Sequence, residues 1–269
     1  MTEYLERPSG TIAYDDSSNA GPLIVAAPGM GDLRSAYRHL GPLLVAAGYR
    51  FAAMDLRGAG ESSADWDDYS DAAIAEDIAA LVRHLEGGPA VLIGNSLAAA
   101  SAVIAAAEEP DLIAGLVLIG PFVRDVPMPA WQRTAFRAML TPPWGRRAWV
   151  SYYRKQMYPL ATPTDHADHV DRLGRSLAEP GRFRAFRSLA FNSHADAESC
   201  LDGLSIPALV VMGTADPDFP DPQAEARYVA DRLDATLLLV DGAGHYPHAE
   251  APERVAPHLI EFLEQHHAA

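Results

Sequence analysis

Short apolar runs recur along this chain, and a segment with helical spacing follows most of them. The runs are Leu23–Ala27 (LIVAA), Phe51–Met54, Ala90–Ile93, Leu116–Ile119, Ala208–Met212 and Thr236–Val240. A strand buried on both faces reads as a continuous apolar run, because neither face meets water. Alternation of such strands with helices predicts an α/β fold: a mostly parallel central sheet with helices on both faces. The helical segments are Leu33–Ala47, stopped by Gly48, and Ser70–Leu85, with Ser70 as its cap and Gly87-Gly88 after it. Ser96–Glu109, closed by Pro110, is the next, followed by Pro222–Leu233 and Pro252–His266. Ahead of them, residues 3–7 and 10–15 form a hairpin around Pro8-Ser9-Gly10.

Residues 121–200 break the rhythm. They show no strand pattern and read as three or four helices punctuated by prolines. A structureless loop of that length has no place in a compact domain. The expected organisation is a core from 1–120 and 201–269, with 121–200 as an inserted helical cap above the carboxyl edge of the sheet. Charge divides along nearly the same line. Residues 121–195 carry 12 basic and 5 acidic side chains, a net of +7, whereas the rest carries 9 and 31, a net of −22. The insertion also holds Trp131, Trp144 and Trp149, together with Tyr152, Tyr153, Phe183, Phe186 and Phe191. Most of these are expected to pack the insertion onto the core, and some to line an apolar pocket.

Other features limit the function classes. The net charge of −15 over 269 residues repels phosphate backbones, so nucleic acid is not an expected partner. Cys200 is the single cysteine, which excludes an intrachain disulfide and a thiolate metal cluster. The first residues, MTEYLERPSG, lack the basic start and apolar run of a secretory signal. No window approaches the ~18 apolar residues of a membrane helix. A cytoplasmic protein without membrane contact is the expectation. Gly29-x-Gly31 lacks the full spacing of a dinucleotide loop, so no cofactor and no metal are expected.

The segment carrying the most chemistry is VLIGNSLAAASAV at 91–103. A strand ends there and a helix starts at once, with Ser96 on the turn between small residues, Gly94 and Ala98. This strand–Gly94-x-Ser96-x-Ala98–helix pattern resembles the nucleophile elbow of the α/β-hydrolase fold family, with Ala98 where glycine is usual. The plainer reading of Ser96 is a helix cap. Four further segments match the family in order. Pro28-Gly29-Met30-Gly31-Asp32 resembles its oxyanion loop, with Pro28 in place of the usual histidine. Asp55-Leu56-Arg57-Gly58-Ala59-Gly60-Glu61-Ser62 resembles its next turn, where Asp55 and Arg57 are read as braces. Asp216, in ALVVMGTADPDFP, resembles the acid, with Asp218 and Asp125 as competitors. His245, in DGAGHYPHAEAPE, resembles the catalytic histidine, and His248 is read as a rim or surface residue.

The resemblance implies a serine hydrolase acting on a carboxylic ester or lactone. It implies Ser96 as nucleophile, His245 as base, Asp216 as orienting acid, and the amides of Met30 and Leu97 as oxyanion donors. Its implied partner is a small-molecule acyl substrate; a homodimer is left open. Gly94-Asn95-Ser96 is similar to the elbow of carbon–carbon bond hydrolases of the meta-cleavage type, which leaves that reaction as an alternative. Local packing of Asn95 is the preferred explanation. A cofactor-free oxygenase or perhydrolase-like enzyme, or a ligand receptor keeping the triad, uses the same residues. Arg182, Arg184 and Arg187 of the insertion could recruit an anionic substrate, although solvated helix faces are the plainer expectation.

Overall fold

The computed structural model describes residues 1–127 and 129–266. Its centre is one eight-stranded sheet: β1 (Thr2–Arg7), β2 (Gly10–Asp16), β3 (Leu23–Ala27), β4 (Arg50–Met54), β5 (Ala90–Asn95), β6 (Ile113–Ile119), β7 (Ala208–Gly213) and β8 (Thr236–Val240). The spatial order is β1-β2-β4-β3-β5-β6-β7-β8. The first hairpin and the β2–β4 pair are antiparallel, and every other pair is parallel. This is the mixed, mostly parallel sheet that the apolar runs require.

Both faces are covered, and β3 shows how. Leu23, Val25 and Ala27 point into one core, packed by α2 (Asp71–Leu85), α3 (Leu97–Glu108) and α9 (Pro222–Leu233). Ile24 and Ala26 point into the other, packed by α1 (Leu40–Ala46) and α11 (Pro252–His266). The strand's period of two splits one apolar run between two helix layers.

Most helix ends fall where local chemistry dictates. Ser70 caps α2, its hydroxyl accepting from the Ala73 amide at 3.2 Å. The left-handed residue ending α2 is Glu86 rather than a glycine of the following pair. The expected helix over 33–47 is instead a 3-10 turn, Arg34–Tyr37, followed by α1. Pro42 accounts for the break: it has no amide proton, and its ring excludes a helical carbonyl four residues earlier, at Arg38.

The insertion lies between β6 and β7 and holds five helices among the described residues, more than the three or four expected. They are α4 (Ala130–Met139), α5 (Gly145–Gln156), α6 (His166–Ser176), α7 (Arg182–Ala190) and α8 (Ala195–Leu201). Its own core gathers Leu140, Trp149, Tyr153, Val170, Leu173 and Phe186 with Tyr246 from the sheet side. Ala197 and Leu201 of α8 instead join the core that packs α3. Arg182 donates to the carbonyls of Ala59 and Ser62, and Arg184 pairs with Asp65. Arg38 forks onto Asp165 at 2.7 and 2.8 Å. The guanidinium of Arg187 lies over the Phe191 ring. Arg182, with 11% of its side chain exposed, is thus seated on the core rather than on the solvated face expected for it, whereas Arg184 stays largely exposed, as the plainer expectation had it. No described helix is long and apolar enough to cross a membrane.

Candidate active site

β5 runs straight into α3, and Ser96 is the single residue between them. Its φ of 57° and ψ of −125° lie outside the ordinary regions for a non-glycine residue. Such strain persists only where the surroundings impose it, and it clusters at functional sites. Here the turn is forced by contact. A Cβ on Gly94 would stand 2.5 Å from the Ala98 carbonyl oxygen and 2.7 Å from Ala99 Cα, so strand and helix meet this closely only with glycine there. The Ser96 hydroxyl makes no capping bond, which sets aside the helix-cap reading. The side chain is 6% exposed.

Behind the serine, Asn95 donates from Nδ2 to the carbonyls of Ile119 at 3.0 Å and His245 at 3.3 Å. The amide braces the histidine loop from within the sheet, as the local-packing reading of Asn95 expects. Leu97 is the first residue of α3, where helical amides have no intrahelical partner. Among the described residues, neither the Leu97 amide nor the Met30 amide donates a hydrogen bond. A Cβ on Gly29 would lie 2.8 Å from Ser96 Cβ, so the loop carrying Met30 passes directly over the serine.

His245 follows β8 and is 2% exposed. Its Nδ1 meets Asp216 Oδ2 at 2.7 Å. Because a carboxylate only accepts, Nδ1 carries the proton, which leaves Nε2 on the side away from Asp216. Asp216 follows β7, and its other oxygen accepts the Asp218 amide at 2.9 Å. The structure thus brings His245 and Asp216 together, with Ser96 next in the chain to Asn95, whose Nδ2 holds the His245 carbonyl, and, among the described residues, no hydrogen bond from the Ser96 hydroxyl to the imidazole. Such bonds are often long in unliganded enzymes and tighten with substrate. Burial works against a charged imidazole here. The carboxylates of Asp216 and Asp218 outweigh it and push His245 up to about 9.

The two competing acids separate. Asp125 accepts from Ser193 Oγ at 2.7 Å and from the His194 amide at 2.9 Å; it braces the approach to α8, not His245. Asp218 lies within the site, with Oδ2 3.8 Å from His245 Nε2. Asp216, Asp218 and His245 each place one ligand atom within 4.8 Å of the others, close enough to surround a cation. Hydrogen bonds to His245, the Asp218 amide and Tyr152 already engage these carboxylates.

His248 corrects its expectation. It is wholly buried rather than on a rim. The short helix α10 (Pro247–Glu250) folds inward and stacks the ring on Tyr37, with centroids 4.9 Å apart. Neither ring nitrogen has a hydrogen-bond partner, and burial pushes the group down to about 3. The ring is therefore neutral well below pH 7. Asp55 and Arg57 are braces, as expected. Buried Asp55 pairs with Arg34 and accepts the Arg34 and Glu61 amides. Arg57 reaches Asp77 at 2.8 Å and the carbonyls of Asp68 and Ala73.

Two supporting groups escaped the sequence reading. Glu250 accepts the Gly244 amide at 2.6 Å and the Leu160 amide at 2.8 Å, tying the histidine loop to the insertion. Burial raises this carboxyl to about 7 despite those donors. The second group grips the oxyanion loop. Asp32 is buried and accepts from Tyr153 Oη at 2.7 Å, the Leu33 amide at 2.7 Å and His169 Nε2 at 2.8 Å. Burial alone would raise the Asp32 carboxyl; His169 and the hydroxyl beside it hold it below the ordinary range. Gly31 has a φ of +65°, and a Cβ there would stand 2.6 Å from both Phe186 Cε2 and Trp149 Nε1. Residues of α5, α6 and α7 therefore enclose the loop in which Pro28 replaces the family's histidine. A small pocket of about 10 Å³ lies beside this clamp, lined in part by Gly31, Asp32, Arg182 and Phe186, and neither Ser96 nor His245 lines it.

A strained serine at a strand-to-helix turn and a buried imidazole–carboxylate pair, both on loops at the carboxyl edge of a mostly parallel sheet, are what an α/β-hydrolase fold positions. The alpha/beta hydrolase fold family matches residues 22–252, and this chain belongs to it. It is 28% identical over 256 residues to a probable esterase of Oryza sativa subsp. japonica, covering 90% of this chain and 91% of that protein. It is 26% identical over 258 residues to the 2-(acetamidomethylene)succinate hydrolase of Mesorhizobium japonicum, covering 91% and 89%. The structure of a thermophilic esterase from Thermogutta terrifontis superposes with a TM-score of 0.81, over 100% of both chains at 24% identity.

Proposed function

We propose that this protein is a serine hydrolase that cleaves a carboxylic ester or lactone through an acyl-enzyme. The observation that carries the reading is the strained Ser96 backbone at the strand-to-helix turn together with the 2.7 Å pair of His245 and Asp216. Fold membership supports a hydrolase, and the probable esterase among its relatives favours an ester.

In the proposed reaction His245 Nε2 takes the proton of Ser96 as Oγ attacks the carbonyl carbon. Asp216 holds the imidazole in orientation and stabilises its charged form. The Met30 and Leu97 amides receive the oxyanion. The tetrahedral intermediate collapses, the C–O bond breaks, and His245 returns the proton to the leaving alcohol. Water deprotonated by His245 then releases the acid and restores Ser96.

A series of p-nitrophenyl esters of graded chain length, with γ- and δ-lactones, tests the reading. Multiple turnovers of at least one are expected. Release of one acyl group per chain and then silence would indicate a receptor that retains the triad. The pH profile follows from His245, which serves as base only when neutral. Its pKa in the free protein is raised to about 9, so kcat/KM rises with pH and levels off near 9, losing about tenfold per unit below that. Stability runs the other way. A raised folded pKa contributes stability that is complete below the ordinary imidazole value of about 6.5 and fades as pH rises through about 9. Activity gained and Tm lost over the same alkaline window is the expected pair; a profile that levels off below pH 7 contradicts it.

Glu250→Ala cuts the tie between the histidine loop and the insertion. Misplacing a catalytic group by about 1 Å costs on the order of 10²-fold. A kcat loss of that order is expected, with KM little changed, measured on the best ester of the series.

A further inference from the structure

His245 Nε2 is the atom that returns a proton to the departing alcohol, so whatever stands beside it faces the leaving group. Asp218 stands there. Its Oδ2 lies 3.8 Å from Nε2, and its Oδ1 accepts the hydroxyl of Tyr152, on α5 of the insertion, at 2.5 Å. The Asp218 amide is fixed to Asp216 Oδ1. The carboxylate is thus held from its own loop and from the insertion, with only 18% of its side chain exposed. A leaving oxygen within hydrogen-bond reach of Nε2, about 3 Å, cannot lie more than about 7 Å from Oδ2, because the two distances share Nε2. Two further acids act on His245 there, Asp216 from the same loop and Asp32 from the oxyanion loop. Tyr246 and Phe122 turn neutral rings to the imidazole, at 5.2 and 6.1 Å. Tyr152, held neutral by burial and by Asp218 itself, adds no charge.

We propose that Asp218 is a specificity-determining residue, whose carboxylate selects leaving groups that carry a positive charge next to the ester oxygen and rejects those that carry a carboxylate. The proposal rests on the serine-hydrolase reading and deepens it. In a mostly desolvated site a fixed charge discriminates strongly between ligands of opposite sign. A leaving group bearing a cation meets a counter-ion already in place. One bearing an anion must be desolvated against two acids. Tyr152 acts through Asp218, as a positioning residue that keeps Oδ2 turned to the imidazole.

The test compares three butyrate esters of similar bulk: choline, 3,3-dimethylbutanol, which is its neutral isostere, and a hydroxyalkanoate bearing a free carboxylate. The wild-type protein is expected to prefer the choline ester over the neutral one by tenfold or more in kcat/KM, and the neutral ester over the anionic one by at least as much. In Asp218→Asn, a change of charge at almost constant shape, both ratios are expected to fall to within about threefold. The rising limb of its pH profile should also move to lower pH, because one of the two carboxylates favouring the charged imidazole is gone. Tyr152→Phe should weaken both ratios without abolishing them. Far-ultraviolet circular dichroism and Tm establish that each variant is folded. Wild-type ratios near one, or ratios unchanged in Asp218→Asn, overturn the proposal while the hydrolase reading stands. Failure of the wild type to turn over any of the three esters or the p-nitrophenyl series overturns both.

Discussion

Ser96→Ala is expected to lose ester turnover by about three to six orders of magnitude while keeping the fold. The size of the loss follows from the role. Removing the nucleophile of a triad leaves only what binding and the oxyanion donors contribute, on the order of 10³–10⁴ over water. Retention of the fold follows from the environment. The hydroxyl makes no capping bond to α3, so alanine deletes no structural hydrogen bond there. The strain at φ 57° belongs to the backbone and is common to both residues. A Tm within a few degrees of wild type, with rates on the best ester reduced to near background, is the expected pair. A variant that hydrolyses the ester at the wild-type rate would remove Ser96 from the mechanism.

Asp32→Ala is expected to have the largest effect on stability. The carboxylate is buried and satisfies a tyrosine hydroxyl, a backbone amide and a histidine nitrogen at once. Deleting one member of such a group strands the others without partners in a site that water does not reach. Breaking a buried pair in this way costs about 3–5 kcal/mol. For a chain of this size that is a Tm fall of roughly 10 °C. The low carboxyl pKa carries a sign as well: it contributes stability that is present above the ordinary carboxylate range and lost as pH falls through the folded value. The gap between wild type and variant should therefore shrink in acid. Activity should fall too, because Asp32 connects the loop of Met30 to α5 and α6. An Asp32→Ala protein with unchanged Tm would show that the hydrogen bonds among Asp32, Tyr153 and His169 contribute little.

The fold was legible because it is written locally. A strand buried on both faces needs an unbroken apolar run, and a parallel partner needs a helix between, so six runs set the sheet and its order along the chain. The surroundings of Ser96, Asp216 and His245 were legible for a similar reason: each is a short turn after a strand, and Gly94 is required by contact. What could not be read comes from contacts between distant segments. Asp32 meets Tyr153 and His169 across 121 and 137 positions, and no periodicity within the insertion announces which helix face covers the oxyanion loop. Asp218 stood out only as a rival to Asp216; its place beside Nε2 depends on the path of the acid loop and on Tyr152. His248 misled because the polar turn around it suggests solvent, whereas α10 folds it onto Tyr37. The arginine-rich insertion offered two readings, substrate recruitment or solvated helix faces, and the contacts of Arg182 with Ala59 and Ser62 across the fold could not be read locally.

The central claim is that Ser96 is a nucleophile activated by His245. The most direct measurement is intact-mass and peptide mass spectrometry after incubation with a fluorophosphonate, which phosphonylates activated serines and expels fluoride. One adduct per chain on Ser96, absent from Ser96→Ala and strongly slowed in His245→Ala, is the predicted result. No adduct under conditions that label a reference serine esterase, or an adduct on a residue other than Ser96, would contradict the account.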